Sequence, residues 1–171
     1  MLAGFAFEGF IISAIFVHMV PLTVAIGLGS AGVFIASLLG PSQVASRLIN
    51  KTRLAVSATA ALTLGLAMLL INAPSLIGAT AFAIIFGFGS GMMSIVGGTL
   101  PLELFGRTGY GQHMGWITAA RQCSSAFAPF GLTFMMHGIG VFPALWINVA
   151  IGFCAIAAFA GVAIIHHRAA I

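Results

Sequence analysis

Apolar residues run in six long stretches along the chain, at about 3–27, 30–49, 53–72, 75–104, 112–137 and 141–166. Short clusters of Gly, Pro, Asn and charge separate them: Gly27-Leu28-Gly29-Ser30, Asn50-Lys51-Thr52-Arg53, Asn72-Ala73-Pro74, Phe105 to Gly111, and His137-Gly138-Ile139-Gly140. Each stretch is continuously apolar and close to the roughly 20 residues that cross a bilayer core as an α-helix. The alternating ten-residue segments of an outer-membrane barrel are a different pattern. The expectation is an all-α integral membrane protein, one domain over residues 1–171 built as a bundle of six transmembrane helices.

Composition supports lipid as the solvent. Hydrophobic types make up 61% of the 171 residues and charged types 5%, against about 25% charged in a soluble domain. Too few polar side chains are present to cover a water-facing globule of this size. The net charge of +4 comes without a basic, aromatic-interleaved patch, so no nucleic-acid partner is expected. Cys123 and Cys154 lie inside apolar runs and read as small hydrophobes, with no disulfide framework. No basic n-region precedes the first run, so a secretory signal is not expected.

The cations set an orientation. Arg47, Lys51 and Arg53 flank the second connection, Arg107 sits in the fourth and Arg168 follows the last helix, whereas the first, third and fifth connections carry no Lys or Arg. The positive-inside rule places these loops and both termini in the cytoplasm.

Two charges fall well inside the stretches, away from their ends. Glu8 in the first and Arg121 in the fifth would each cost on the order of 3 kcal/mol at the bilayer centre if they faced lipid. Both helices run outward from the cytoplasm, and at about 1.5 Å per residue Glu8 lies about 7–9 Å in and Arg121 about 13 Å in, so the two can pair. Such a pair either lines a polar route for solute or protons, with Arg121 as the fixed cation, or holds two helices together, and Glu8 alone can snorkel to the surface. Thr118, Arg121, Gln122, Ser125 and Pro129 recur at spacings of three and four and form one polar stripe, which should face the bundle interior or a water-filled cavity. Interhelical hydrogen bonding explains the Ser, Thr and Gln equally, but a guanidinium fork suits oxyanions.

In the second stretch Pro41 should kink the helix and free an upstream carbonyl for Ser42 or water, with Gln43 as a lining group or a packing residue. His18 and Pro21 mark a similar break in the first. Gly87 and Gly91 form a small-xxx-small step for close helix packing, and Met92 stands where a dinucleotide fingerprint would need its third Gly. Glu103 and Arg107, four apart and acid first, are expected to form a structural pair at a helix end. His113, His137, His166 and His167 make no ligand constellation. No metal or haem spacing and no nucleophile–base–acid set can be assembled, so neither a cofactor nor an enzymatic activity is expected.

The run Gly9-Phe10 to Val17-His18-Met19-Val20-Pro21-Leu22, the segment Leu39 to Leu48, and Gly97 to Gly106 followed by Gly109-Tyr110-Gly111 together resemble the carboxy-terminal six-helix half of a major facilitator superfamily transporter. Arg47 and Lys51 match basic positions of the superfamily's loop signature, while Ser46 stands in place of its acid and Ile49 in place of its Gly. The resemblance implies two six-helix halves rocking about a central site, with the first, second, fourth and fifth helices lining the cavity. Its implied function is secondary active transport of a small solute by alternating access, in a bacterial inner membrane; the Arg121 stripe adds the expectation of an anionic solute, and Glu8 that of proton coupling. The implied partners are the lipid bilayer, the solute and a second six-helix half, upstream on the same chain or in a dimer. The alternative is a non-transporting membrane scaffold or truncated remnant. On the transport reading the site residues are Arg121, Glu8, Gln43, Gln122, Ser125, Thr118 and His18, with Arg47, Lys51, Arg53 and Arg107 on the cytoplasmic loops.

Overall fold

The computed structural model describes residues 1–29, 31–46, 54–107 and 109–169, with side chains as far as residue 165. Among the described residues every regular element is an α-helix: α1 (Leu2–Ala25), α2 (Ala31–Ser46), α3 (Leu54–Ile71), α4 (Leu76–Phe105), α5 (Tyr110–Ile139) and α6 (Val141–Ala169). Arg47, Lys51 and Arg53 lie outside the described residues, as does the Arg168 side chain.

Four helices, α1, α3, α4 and α6, are long and apolar enough to cross a membrane, the mark of a multi-pass membrane protein. The other two differ for separate reasons. The described part of α2 is 16 residues, about 24 Å at 1.5 Å per residue, against a hydrocarbon core of about 30 Å. α5 is long enough at 30 residues but too polar, because it carries the Thr118–Pro129 stripe.

The helix ends follow from local chemistry. Ser75 caps α4, its hydroxyl accepting from the Gly78 N–H. α4 stops at Gly106, whose φ of 65° only glycine adopts cheaply. That turn corrects the expected Glu103–Arg107 pair. Arg107 has left the helix, no longer stands one turn above Glu103, and both side chains are exposed with no bond between them.

Packing has an internal regularity. α1 lies along α5, α2 lies along α4, α3 packs on α4, α6 packs on α1, and α3 and α6 meet each other. Exchanging α1 with α4, α2 with α5 and α3 with α6 leaves these five pairings unchanged; the α5–α6 contact, whose counterpart would be α2–α3, is the exception. The two long pairs also run the same way. Glu8 meets Arg121 and His18 meets Thr133, so residue numbers rise together along α1 and α5. Leu39 meets Gly87 and Gln43 meets Gly91, so they rise together along α2 and α4.

Both pairs rest on glycine. A Cβ on Gly87 would lie 2.9 Å from the Leu39 carbonyl oxygen, and one on Gly91 would overlap Gln43 and Ser46, so the small-xxx-small step seats α2 on α4. On the opposite side of α4, a Cβ on Gly89 would lie 2.8 Å from the Ala58 carbonyl of α3. Phe82 and Phe86 of α4, with Leu62, Leu66 and Leu69 of α3, fill the core between them. Pro41 does not end α2: Ser42 donates to the Leu38 carbonyl at 2.8 Å, one residue beyond the Ser37 carbonyl that Pro41 frees.

Candidate functional site

The site is built where α5 crosses α1. Gly9 makes the crossing possible: a Cβ there would come within 2.8 Å of Arg121 Cγ and 2.9 Å of Ser125 Oγ. Pro129 has no N–H, so the Ser125 carbonyl four residues back lacks its helical donor. The Ser13 hydroxyl of α1 supplies that bond at 2.8 Å. In return Ser125 donates to the Gly9 carbonyl at 3.0 Å. Ser125 is therefore a helix-joining residue with both its polar groups engaged across the interface.

One turn back along α5, Arg121 reaches Glu8. Its Nη2 donates to Glu8 Oε1 at 3.3 Å, and its Nε lies 3.2 Å from Oε2. Glu8 is 0% exposed and the Arg121 side chain 37%, so the guanidinium separates a buried carboxylate from the outside. Among the described residues Arg121 is the single donor to that carboxylate, and Oε2 makes an ion pair without a well-aligned hydrogen bond.

Arg121 lines a cavity of about 140 Å³ between α1, α4 and α5. Thr118 and Gln122 line it from α5, Ser94 and Gly97 from α4, and Phe5 from α1. Pro101 leaves the Gly97 carbonyl without its ordinary helical donor. Phe5 is itself fixed edge-on against Phe159 of α6, with ring centroids 5.2 Å apart. The cavity thus holds one cation, side-chain hydroxyl and amide groups, and a short apolar wall.

The structure brings Glu8, Arg121, Thr118 and Gln122 to this one place. It does not bring the other expected members. Gln43 is half-buried in the α2–α4 crossing, where its Nε2 donates to Ser90 Oγ at 3.0 Å. That contact is built like the Arg121–Glu8 one: in each, a polar side chain of the lying helix reaches the residue just before the glycine on which the helix rests. His18 sits further along α1, its Nδ1 3.1 Å from the Ala14 carbonyl and its Nε2 2.8 Å from Thr133 Oγ1. With Pro129, Thr133 and His137 it lines a second, wider groove that is separate from the Arg121 cavity. Arg107 is exposed in the α4–α5 connection.

No family model, curated protein or solved structure matches this chain. Sequence reasoning missed Gly9, Ser13 and Asn148. Asn148 is fully buried on α6; its Nδ2 donates to the Ala144 carbonyl at 2.9 Å and its Oδ1 has no partner among the described residues. A lone Asn within an apolar run was the signal for it. Among the described residues no group of His, Cys, Asp and Glu side chains is placed to hold a metal ion.

Proposed function

We propose that this chain is one half of a secondary active transporter, and that the Glu8–Arg121 pair with its cavity is part of the solute route. The observation that carries the reading is the placement of Arg121. A guanidinium within the apolar length of a bundle, a third exposed and facing a cavity, is positioned to meet a polar solute and not merely to bridge helices. The five pairings that survive exchange of α1–α3 with α4–α6 support it, since three-helix units repeated with inverted topology are how many transporters build each half. The resemblance of residues 9–22, 39–48 and 97–111 to a carboxy-terminal major facilitator half points the same way.

In this reading the second six-helix half, on the same polypeptide or on a partner, supplies the opposing wall against which α1, α2, α4 and α5 rock. The chain lies in a bacterial inner membrane with the Arg107 connection in the cytoplasm, and it carries solute without a cofactor and without covalent chemistry. The test is counterflow of small organic acids in vesicles containing the full-length polypeptide. Arg121→Ala should abolish exchange while the protein still inserts and folds. Undiminished exchange by that variant removes the cavity from the route and leaves the pair as helix packing in a non-transporting scaffold.

A further inference from the structure

A guanidinium has five N–H donors. Arg121 commits Nη2 to Glu8 Oε1 and turns Nε toward Oε2, so among the described residues Nη1 has no partner, and the residue lines the cavity beside Thr118 and Gln122. A planar fork with a free edge, flanked by a hydroxyl and an amide, is a receptor for a carboxylate. The size is also set: about 140 Å³ matches a cavity that takes a benzene-sized molecule, or about six non-hydrogen atoms.

Charge then restricts what can enter. The cavity offers one cation, and Glu8 already uses it. A second carboxylate on the same guanidinium leaves one buried anion uncompensated, and a buried ionised carboxylate without a counter-charge is expensive enough that it takes a proton instead. Among the described residues no neighbouring group relieves this, and the one ionisable residue of α4, Glu103, is exposed near the end of that helix. α5 brings only Arg121 to Glu8, with Cys123 on its exposed side, and α2 has no ionisable residue from 31 to 46. The apolar length of α6 has only Cys154, also exposed, and the other ionisable group of α1, His18, is held at Thr133. We infer that the cavity takes a small monocarboxylate on the free edge of Arg121, and that its binding is coupled to uptake of one proton by Glu8. A monoanion, the guanidinium and a neutral Glu8 sum to zero charge, whereas a dianion does not. This rests on the transport reading of the same site but is tested by binding alone.

The experiment is calorimetric titration of the full-length protein in lipid nanodiscs with lactate, repeated in buffers of different ionisation enthalpy, with succinate as the dianion. The expected result is lactate binding with close to one proton taken up per anion, and at least about tenfold weaker binding of succinate. Glu8→Gln, which removes the competing carboxylate, should bind lactate more tightly and take up no proton. Lactate binding with no proton uptake by the wild type, or succinate binding as tightly as lactate, overturns the inference and leaves the transport reading standing. Failure of lactate to bind overturns it too. If Arg121→Ala also leaves counterflow undiminished, the transport reading falls with it.

Discussion

Replacing Gly9 with Ala tests directly how α1 and α5 are held together. The added Cβ would lie 2.8 Å from Arg121 Cγ, 2.9 Å from Ser125 Oγ and 3.0 Å from the Arg121 carbonyl oxygen, about 0.4–0.6 Å short of ordinary contact at 3.4 Å. Two of these atoms cannot swing aside. The carbonyl is helix backbone, and Ser125 Oγ is held by the Gly9 carbonyl. α5 must therefore withdraw, and overpacking of this kind costs about 1–3 kcal/mol. The withdrawal also stretches the Ser125–Gly9 and Ser13–Ser125 bonds, each worth about 0.6 kcal/mol in a membrane bundle. The expected loss is about 2–4 kcal/mol, read by reversible unfolding in mixed micelles titrated with SDS. Gly138→Ala on α5, the other helix of the crossing, is the control, because its Cβ would meet nothing within 4 Å. If Gly9→Ala unfolds at the same SDS fraction as the wild type and the Gly138→Ala control, the close-approach account of the α1–α5 crossing is wrong.

Other outcomes follow from the same contacts. Arg121→Gln strands a carboxylate that is 0% exposed; since Arg121 is itself partly exposed, the loss should fall below the 3–5 kcal/mol of a fully buried pair, at about 2 kcal/mol. Adding Glu8→Gln should return most of it, and a double mutant less stable than Arg121→Gln alone would contradict the pairing. Gly91→Ala, whose Cβ overlaps Gln43 and Ser46, should lower stability by about 1–3 kcal/mol, whereas Gly97→Ala, with nothing within 4 Å, should not. A cysteine placed at Arg107 should react with an impermeant maleimide only from the cytoplasmic side, and one at Ser75 only from the outer side; the reverse pattern would invert the topology.

Much of this arrangement is written in the chain, because it depends on local signals. Run length and punctuation define the helices. The one acid and one base deep within the apolar stretches, Glu8 and Arg121, are legible as possible partners once their depths are compared. The α1–α5 register was not legible. Parallel helices more than a hundred residues apart carry no mutual periodicity, and Gly9 is one of 22 glycines. Ser13 becomes meaningful only when Pro129 is known to free the carbonyl above it. For Gln43 the chain left two readings open, lining group or packing residue, because a polar residue beside a proline fits either; its amide donates to Ser90 inside the α2–α4 crossing, which is the packing arrangement. The Glu103–Arg107 spacing fits a helix that Gly106 has already ended.

The outward surfaces of the helices separate lipid from what lies opposite the site. α3 turns Leu64, Met68 and Ile71 outward, and α6 turns Phe153, Ile164 and Ile165, which hydrocarbon covers without penalty. α5 is different. Only Ile117, Ala128 and Leu132 of its 30 residues are buried, and its exposed side mixes Trp116, Phe127 and Phe130 with Gln112, Thr118 and Gln122. Amides and hydroxyls at that depth are unfavourable against acyl chains, and they are concentrated beside Arg121 instead of being spread over the bundle. A helix so little buried by its own bundle, with its polar groups gathered on one side, is where the proposed second half would pack. A second half enclosing a wet cavity suits both kinds of side chain, since its apolar rim can take the aromatic residues while the cavity hydrates the amides.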